Sequence, residues 1–166
     1  MTRDALLKRA ERDQRVRRAA LARDRVTFRQ GFRALWVDWR NTVWLARTVR
    51  RDGWPGVAAV GADGAHAAWL LAQHADRKPA VQRMFLEKLR EAVARGDAAR
   101  KDLAYLEDRV RVNAGRPQLY GTQYGVTEAG FGPRPIEDPG GLDERRAAVG
   151  LQPMADYDAE MRRRAG

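Results

Sequence analysis

Residues 63–76 read DGAHAAWLLAQHAD, the longest apolar run in the chain, and the run ends in Gln73, His74 and Asp76. At helical spacing Ala65, Ala67, Ala68, Trp69, Leu70, Leu71, Ala72 and Ala75 cover almost every face, the pattern of a helix buried all round. The run is too short and too broken to span a bilayer. Asp63 is placed to cap its start. The reading is a central buried helix over 63–76 with other helices packed about it. His74 lies three, four and seven residues after Leu71, Leu70 and Ala67, so it shares their face. A buried imidazole needs hydrogen-bond partners. Asp76, just past the helix end, is placed to hold one ring nitrogen. Two roles fit: a general acid or base with a fixed tautomer, or a core histidine that pins a helix end.

Outward from this stretch, polar groups recur on apolar stripes. Residues 3–27 read as a long helix whose stripe runs Leu6, Ala10, Asp13, Arg17, Ala20 and Asp24, with Gln14 beside it. If that face packs inward, Asp13, Gln14 and Arg17 need partners from elsewhere in the fold. The alternative is an Asp13–Arg17 pair one turn apart, contributing roughly 0.2–0.5 kcal/mol. Gly31 is expected to break the chain within Phe28–Phe32, and residues 34–51 form a second helix. There Asp38 and Asn41 share a face with Leu45 and Val49. Asp52-Gly53-Trp54-Pro55-Gly56 is a turn, and 57–60 is a short connector. Pro79 suits the first position of a helix over 79–95. A further helix over 99–113 carries Asp108 and Arg109 on the borders of its Leu103, Leu106 and Val110 stripe.

Residues 114–141 are rich in Gly and Pro and have no helical period, yet hold Leu119, Tyr120, Tyr124, Phe131 and Ile136. An ordered loop is expected there, with a short strand at Gln118–Thr122. Gln118, Tyr120, Thr122 and Gln123 form either a ligand-positioning set or the polar side of a turn. Short helices over 142–149 and 153–163 complete an all-α fold, a single domain over 1–166 with its core at 3–157 and a frayed tail at 158–166.

Composition removes several chemistries. The chain of 166 residues has no cysteine, which excludes disulfides and thiolate sites, and no serine, which excludes a serine triad. Two histidines do not make a histidine-rich metal site. No glycine-rich phosphate loop opens a helix. With no signal segment and no membrane span apparent, a cytoplasmic protein without membrane association is expected. The net charge is +10, and residues 1–33 hold 11 basic and 4 acidic residues of it. That arm is either a solvated helix face or an electrostatic footprint for nucleic acid or an acidic partner.

Several motifs together resemble one bacterial family, common in actinobacteria and classed as a domain of unknown function. They are Asp13-Gln14 with Arg17, Gly53-Trp54-Pro55, Gln73-His74-Ala75-Asp76 with Gln82, Asp108-Arg109-Val110 after Leu103–Leu106, the QLYGTQ of 118–123, and the PIEDP of 135–139. The resemblance runs from about Leu6 to Tyr157. It implies that these polar positions are the family's hallmark, and so a shared site. The site expected from all this is a polar pocket in a helical shell. His74 acts as acid or base, oriented by Asp76 or Asp108, with Tyr120 stabilising charge. Asp13, Gln14, Arg17, Asp38, Asn41, Gln73, Arg109, Gln118 and Gln123 line the rest and take a small polar or anionic molecule or a peptide. A variant places a divalent metal among Asp13, Asp38, His74 and Asp108. The alternative function is a binding module in which Arg15, Arg18, Arg23 and Arg25 contact nucleic acid or an acidic protein. Cofactor identity and oligomeric state are left open by the sequence.

Overall fold

The computed structural model describes residues 2–21, 27–128 and 130–165. The protein is mostly helical, with seven α-helices and one two-stranded sheet among the described residues. Two compact units divide the chain, Met1–Ala98 and Ala99–Gly166.

The first unit holds α1 (Arg3–Leu21), α2 (Phe28–Asp52), α3 (Val57–Gln73) and α4 (Pro79–Ala94). Residues 63–73 of that stretch fall in α3, which packs against all three other helices of the unit; the helix ends three residues short of the expected Asp76, with His74 as its C-cap. Ala65, Ala67, Ala68, Leu71 and Ala72 are buried as the pattern requires, while His66 faces solvent and stacks on Trp69 with ring centroids 4.7 Å apart. The helix starts earlier than Asp63. A first turn at 57–60 is joined across Gly61, whose φ of 73° places it in the left-handed region that favours glycine. Asp63 still serves the local backbone, since its Oδ1 accepts from Gly64 N at 2.8 Å. The core of the unit is aliphatic and aromatic: Leu6, Leu45, Val49, Leu71, Phe85 and Leu89 are each at most 1% exposed. Each contributes about 1.5–3 kcal/mol by its burial.

Two boundaries differ from expectation. Helix α2 runs through Gly31 and begins at Phe28, because Thr27 and Gln30 form a capping box. Gln30 N donates to Thr27 Oγ1 at 3.3 Å, and Thr27 N donates to Gln30 Oε1 at 2.9 Å. Satisfying two end donors outweighs the roughly 1 kcal/mol cost of one glycine inside a helix. The expected continuation of the first helix over 22–26, with Arg23, Asp24 and Arg25, lies outside the described residues. Pro79 opens α4 as expected.

The second unit holds α5 (Arg100–Asn113), a hairpin of β1 (Tyr124–Thr127) and β2 (Gly130–Pro133), a 3-10 turn at Pro139–Gly141, α6 (Leu142–Ala148) and α7 (Met154–Ala165). The strands are antiparallel, with Tyr124 opposite Pro133 and Thr127 opposite Gly130. The segment expected as one loop is thus an ordered loop with a hairpin in it. The strand expected at Gln118–Thr122 is replaced by a single bridge between Gln118 and Ile136. Helix α7 continues to Ala165, through the residues expected to fray. Among the described residues no helix is long and apolar enough to cross a membrane.

Candidate functional site

Helices α1, α2 and the end of α3 bring Asp13, Gln14, Arg17, Asp38 and His74 together. Asp13 is 1% exposed, because the Leu6–Ala10–Asp13 stripe of α1 faces the core as its spacing requires. Its Oδ2 lies 2.8 Å from His74 Nδ1, and accepts from Arg17 Nε at 3.2 Å and from Gln14 Nε2 at 3.2 Å. Arg17 also donates through Nη2 to Asp38 Oδ1 at 2.7 Å. Arg17 Nε lies 3.1 Å from His74 Nδ1 as well. One nitrogen cannot both accept from Arg17 and donate to Asp13. The shorter contact is the one to the buried carboxylate, and Arg17 Nε has Asp13 as its other acceptor, so Nδ1–H donates to Asp13. That tautomer leaves Nε2 as the ring nitrogen offered to a ligand.

The two carboxylates are pushed in opposite directions. Burial acts to raise the Asp13 carboxyl, but the hydrogen bond and charge of His74, and then Arg17, outweigh it and hold Asp13 below its ordinary value. Burial raises the Asp38 carboxyl, with Arg17 opposing and the neighbouring Asp13 charge adding to the rise. Asp13 is therefore a fixed anion and Asp38 the readier proton carrier, an asymmetry of the kind that separates acid and base roles.

His74 and Asp38 border a cavity of about 230 Å³, lined also by Trp39, Thr42, Arg77 and Lys78. Sequence reasoning missed these last four. The available signal was the Arg77-Lys78 pair directly after the Gln73–Asp76 motif, which places two cations beside the histidine.

A metal is the second chemistry to weigh. Asp13, Asp38 and His74 offer ligand atoms that all lie within 4.8 Å of one another. However, the Arg17 guanidinium already bridges the two carboxylates and supplies their countercharge. A divalent ion between them would first have to displace it, so the donor set fits a guanidinium lock better than a metal.

Other expected residues have different surroundings. The carboxylate against the imidazole is Asp13 and not Asp76. Asp76 Oδ1 accepts from Gln82 Nε2 at 3.1 Å, and Gln82 also donates to the carbonyls of Ala72 and Gln73, tying down the end of α3. Asn41 does not line this cavity but a neighbouring one between α1 and α2, where Arg9 Nη1 donates to its Oδ1 at 3.2 Å.

In the second unit Asp108, fully buried, accepts from the backbone N–H groups of Leu119, Tyr120 and Thr122 at 2.6–3.2 Å and from the Thr122 hydroxyl at 2.9 Å. Gln118, also fully buried, accepts from Gln123 N at 2.8 Å and donates to the carbonyls of Gln123 and Arg134. Arg109 donates to Gln123 Oε1 at 3.1 Å. Arg146, 1% exposed, donates to the carbonyls of Gln152 and Tyr120. These groups do for the 114–141 segment what a sheet ladder does for a strand, giving its buried backbone partners.

The chain matches the family of unknown function DUF6624 over residues 3–164, and it belongs to that family. No curated protein and no solved structure matches it.

Proposed function

We propose that the first unit carries a small-ligand site at the end of α3. In it, His74 exchanges a proton with an anionic molecule through Nε2. The observation that carries this reading is the 2.8 Å contact between His74 Nδ1 and the buried Asp13, on a ring that borders a cavity. Asp13 positions the imidazole and fixes its tautomer. Arg17 holds Asp13 and Asp38 in place. Arg77 and Lys78 attract the anion, Thr42 offers a hydroxyl, and the half-exposed Trp39 gives a flat apolar wall. Asp38, with its raised pKa, is the second proton-exchanging group. The site suits a carboxylate or phosphate ester of metabolite size, in an enzyme or a ligand-binding protein.

Imidazole NMR spectra test this directly, since the chain has two histidines, one exposed and stacked on Trp69. Titration with a panel of small carboxylates and phosphates should shift the His74 signals, leave those of His66 in place and raise the melting temperature. The same stabilisation should vanish in His74→Gln and in Lys78→Gln. If no anion moves His74, or if His74→Gln keeps the full ligand-induced stabilisation, the reading fails.

A further inference from the structure

We infer that the groove between α1 and α2 binds single-stranded nucleic acid, with phosphates on its arginines and bases on its tryptophans. This goes beyond the His74 site and does not depend on it, although Trp39 borders both. Three adjoining cavities of about 480, 390 and 300 Å³ run along the two helices. The first shares Lys8 and Arg12 with the second, and the second shares Arg9 and Arg40 with the third. From Ala5 to Ala19 the α1 wall spans roughly 21 Å at about 1.5 Å per residue. That is room for about four nucleotides, the low end of the range for compact single-strand sites.

The chemistry of the middle cavity points to an anion. Lys8, Arg9, Arg12 and Arg40 line it, together with Trp36 and Asn41, and no carboxylate does among the described residues. The guanidiniums are held by aromatic rings instead: Arg40 lies 4.6 Å and Arg12 5.6 Å from the Trp36 centroid, and Arg9 lies 4.2 Å from that of Trp44. Asn41 is 5% exposed, and with its Oδ1 accepting from Arg9 its Nδ2 has no partner. A buried donor without an acceptor is rare, and this one belongs to a residue that lines the cationic cavity. Burial, and the charges of Arg40 and Arg12, lower the Arg9 pKa, a repulsion that a bound phosphate relieves.

The aromatic residues narrow the anion to a nucleic-acid strand. Both Trp36 and Trp39 line the groove; Trp36, 40% exposed, already carries guanidiniums over its ring, so Trp39, 53% exposed, is the main platform. An exposed indole among cations is what unpaired bases stack on, whereas duplex bases are closed to it. Charge agrees: residues 1–98 hold 21 basic and 11 acidic residues, a net of +10, while residues 99–166 hold 11 of each.

The test is fluorescence anisotropy of the full-length protein with labelled oligo-dT and oligo-rU, across a salt series. Trp39→Ala and Arg40→Gln are the groove variants, both at exposed positions, with circular dichroism to verify folding. Arg163→Gln with Arg164→Gln on α7 is the charge control. The expected result is single-strand binding that weakens with salt, falls about tenfold in each groove variant and stays unchanged in the control. A duplex of the same length should bind at least about tenfold more weakly. Equal binding of duplex and single strand, or undiminished binding by Trp39→Ala, overturns the inference. So does binding confined to an acidic peptide or to anionic vesicles. His74→Gln should keep full oligonucleotide affinity; its loss would put the strand at the ligand pocket and overturn the groove assignment.

Discussion

A carboxylate as deeply buried as Asp13 stays ionised only where donors surround it, and Gln14, Arg17 and His74 all reach its Oδ2. The consequence for stability has a definite sign. The folded pKa of Asp13 lies below the 3.8 of an unperturbed aspartate, so in acid the unfolded chain binds the proton first. Its contribution is fully present above the unfolded value and is lost as pH falls through the folded one. Asp38 runs the other way: its folded pKa is raised, so its favourable contribution belongs to the protonated form and is lost as pH rises through that folded value. Asp13→Asn keeps the shape and removes the charge. Urea unfolding at neutral pH should show a loss of about 1.5–3 kcal/mol, the range for hydrogen bonds to a charged group. At pH 3 the deficit should shrink, because the wild-type carboxylate is then losing its own advantage. An equal deficit at both pH values would mean that Asp13 acts by packing and not by charge. At this scale the sequence was partly legible. The inward stripe of α1 announced that Asp13 and Arg17 need partners, but the imidazole's partner was sought at Asp76, two residues away. Sequence proximity misled there, since a helix end holds its neighbours apart while a second helix can lay a carboxylate directly against the ring.

At the scale of elements, the start of α3 shows how one position can be fixed by another far along the chain. Asp97 Oδ1 accepts from Ala58 N at 2.8 Å, and its carbonyl accepts from Val57 N at 2.9 Å, so a residue in the turn after α4 caps α3 and sets a negative charge on its N-terminal end. This needs Gly56, because a Cβ there would lie 1.9 Å from Asp97 Oδ2. Gly56→Ala should cost about 1–3 kcal/mol by overpacking, and Asp97→Ala about 1 kcal/mol as a lost cap. The double variant should cost less than the two together, since the clash disappears with the carboxylate. Strict additivity in that cycle would remove the steric account. The loop clasp in the second unit makes a parallel case. In Asp108→Asn an amide donor faces N–H groups that now meet a carboxylate, so amide exchange at Leu119, Tyr120 and Thr122 should rise sharply. Unchanged protection there would show that the loop holds itself without Asp108. Helix periods, Pro79 and the Gly-Pro loop were readable because they are local. The hairpin at 124–133 was not, because its strands are only four residues long and glycine-rich. Nor was the use of Asp108 and Gln118, whose polar character suggested a site while the fold uses it to satisfy backbone.

Over the whole molecule, the excess charge is concentrated and not spread. The first unit carries the entire net +10, and its Arg9, Arg12 and Arg40 share one cavity with no carboxylate in its lining among the described residues. Surface ion pairs such as Arg15–Glu11 and Lys88–Glu91 contribute up to about 1 kcal/mol each, and salt weakens them. Salt also screens the repulsion among unpaired cations, at a Debye length of about 10 Å in 0.1 M salt. The two effects oppose each other, and the surplus of 21 basic over 11 acidic residues decides the sign. Raising sodium chloride from low to moderate concentration should therefore stabilise the fold, on the order of 1 kcal/mol by urea unfolding. At matched ionic strength phosphate should stabilise more than chloride, because a multivalent anion that binds the folded state adds its own binding free energy. Arg40→Gln should reduce both gains, since it removes one of the three guanidiniums that repel. A protein that instead loses stability as salt rises would have its ion pairs, and not its cationic groove, as the dominant electrostatic feature.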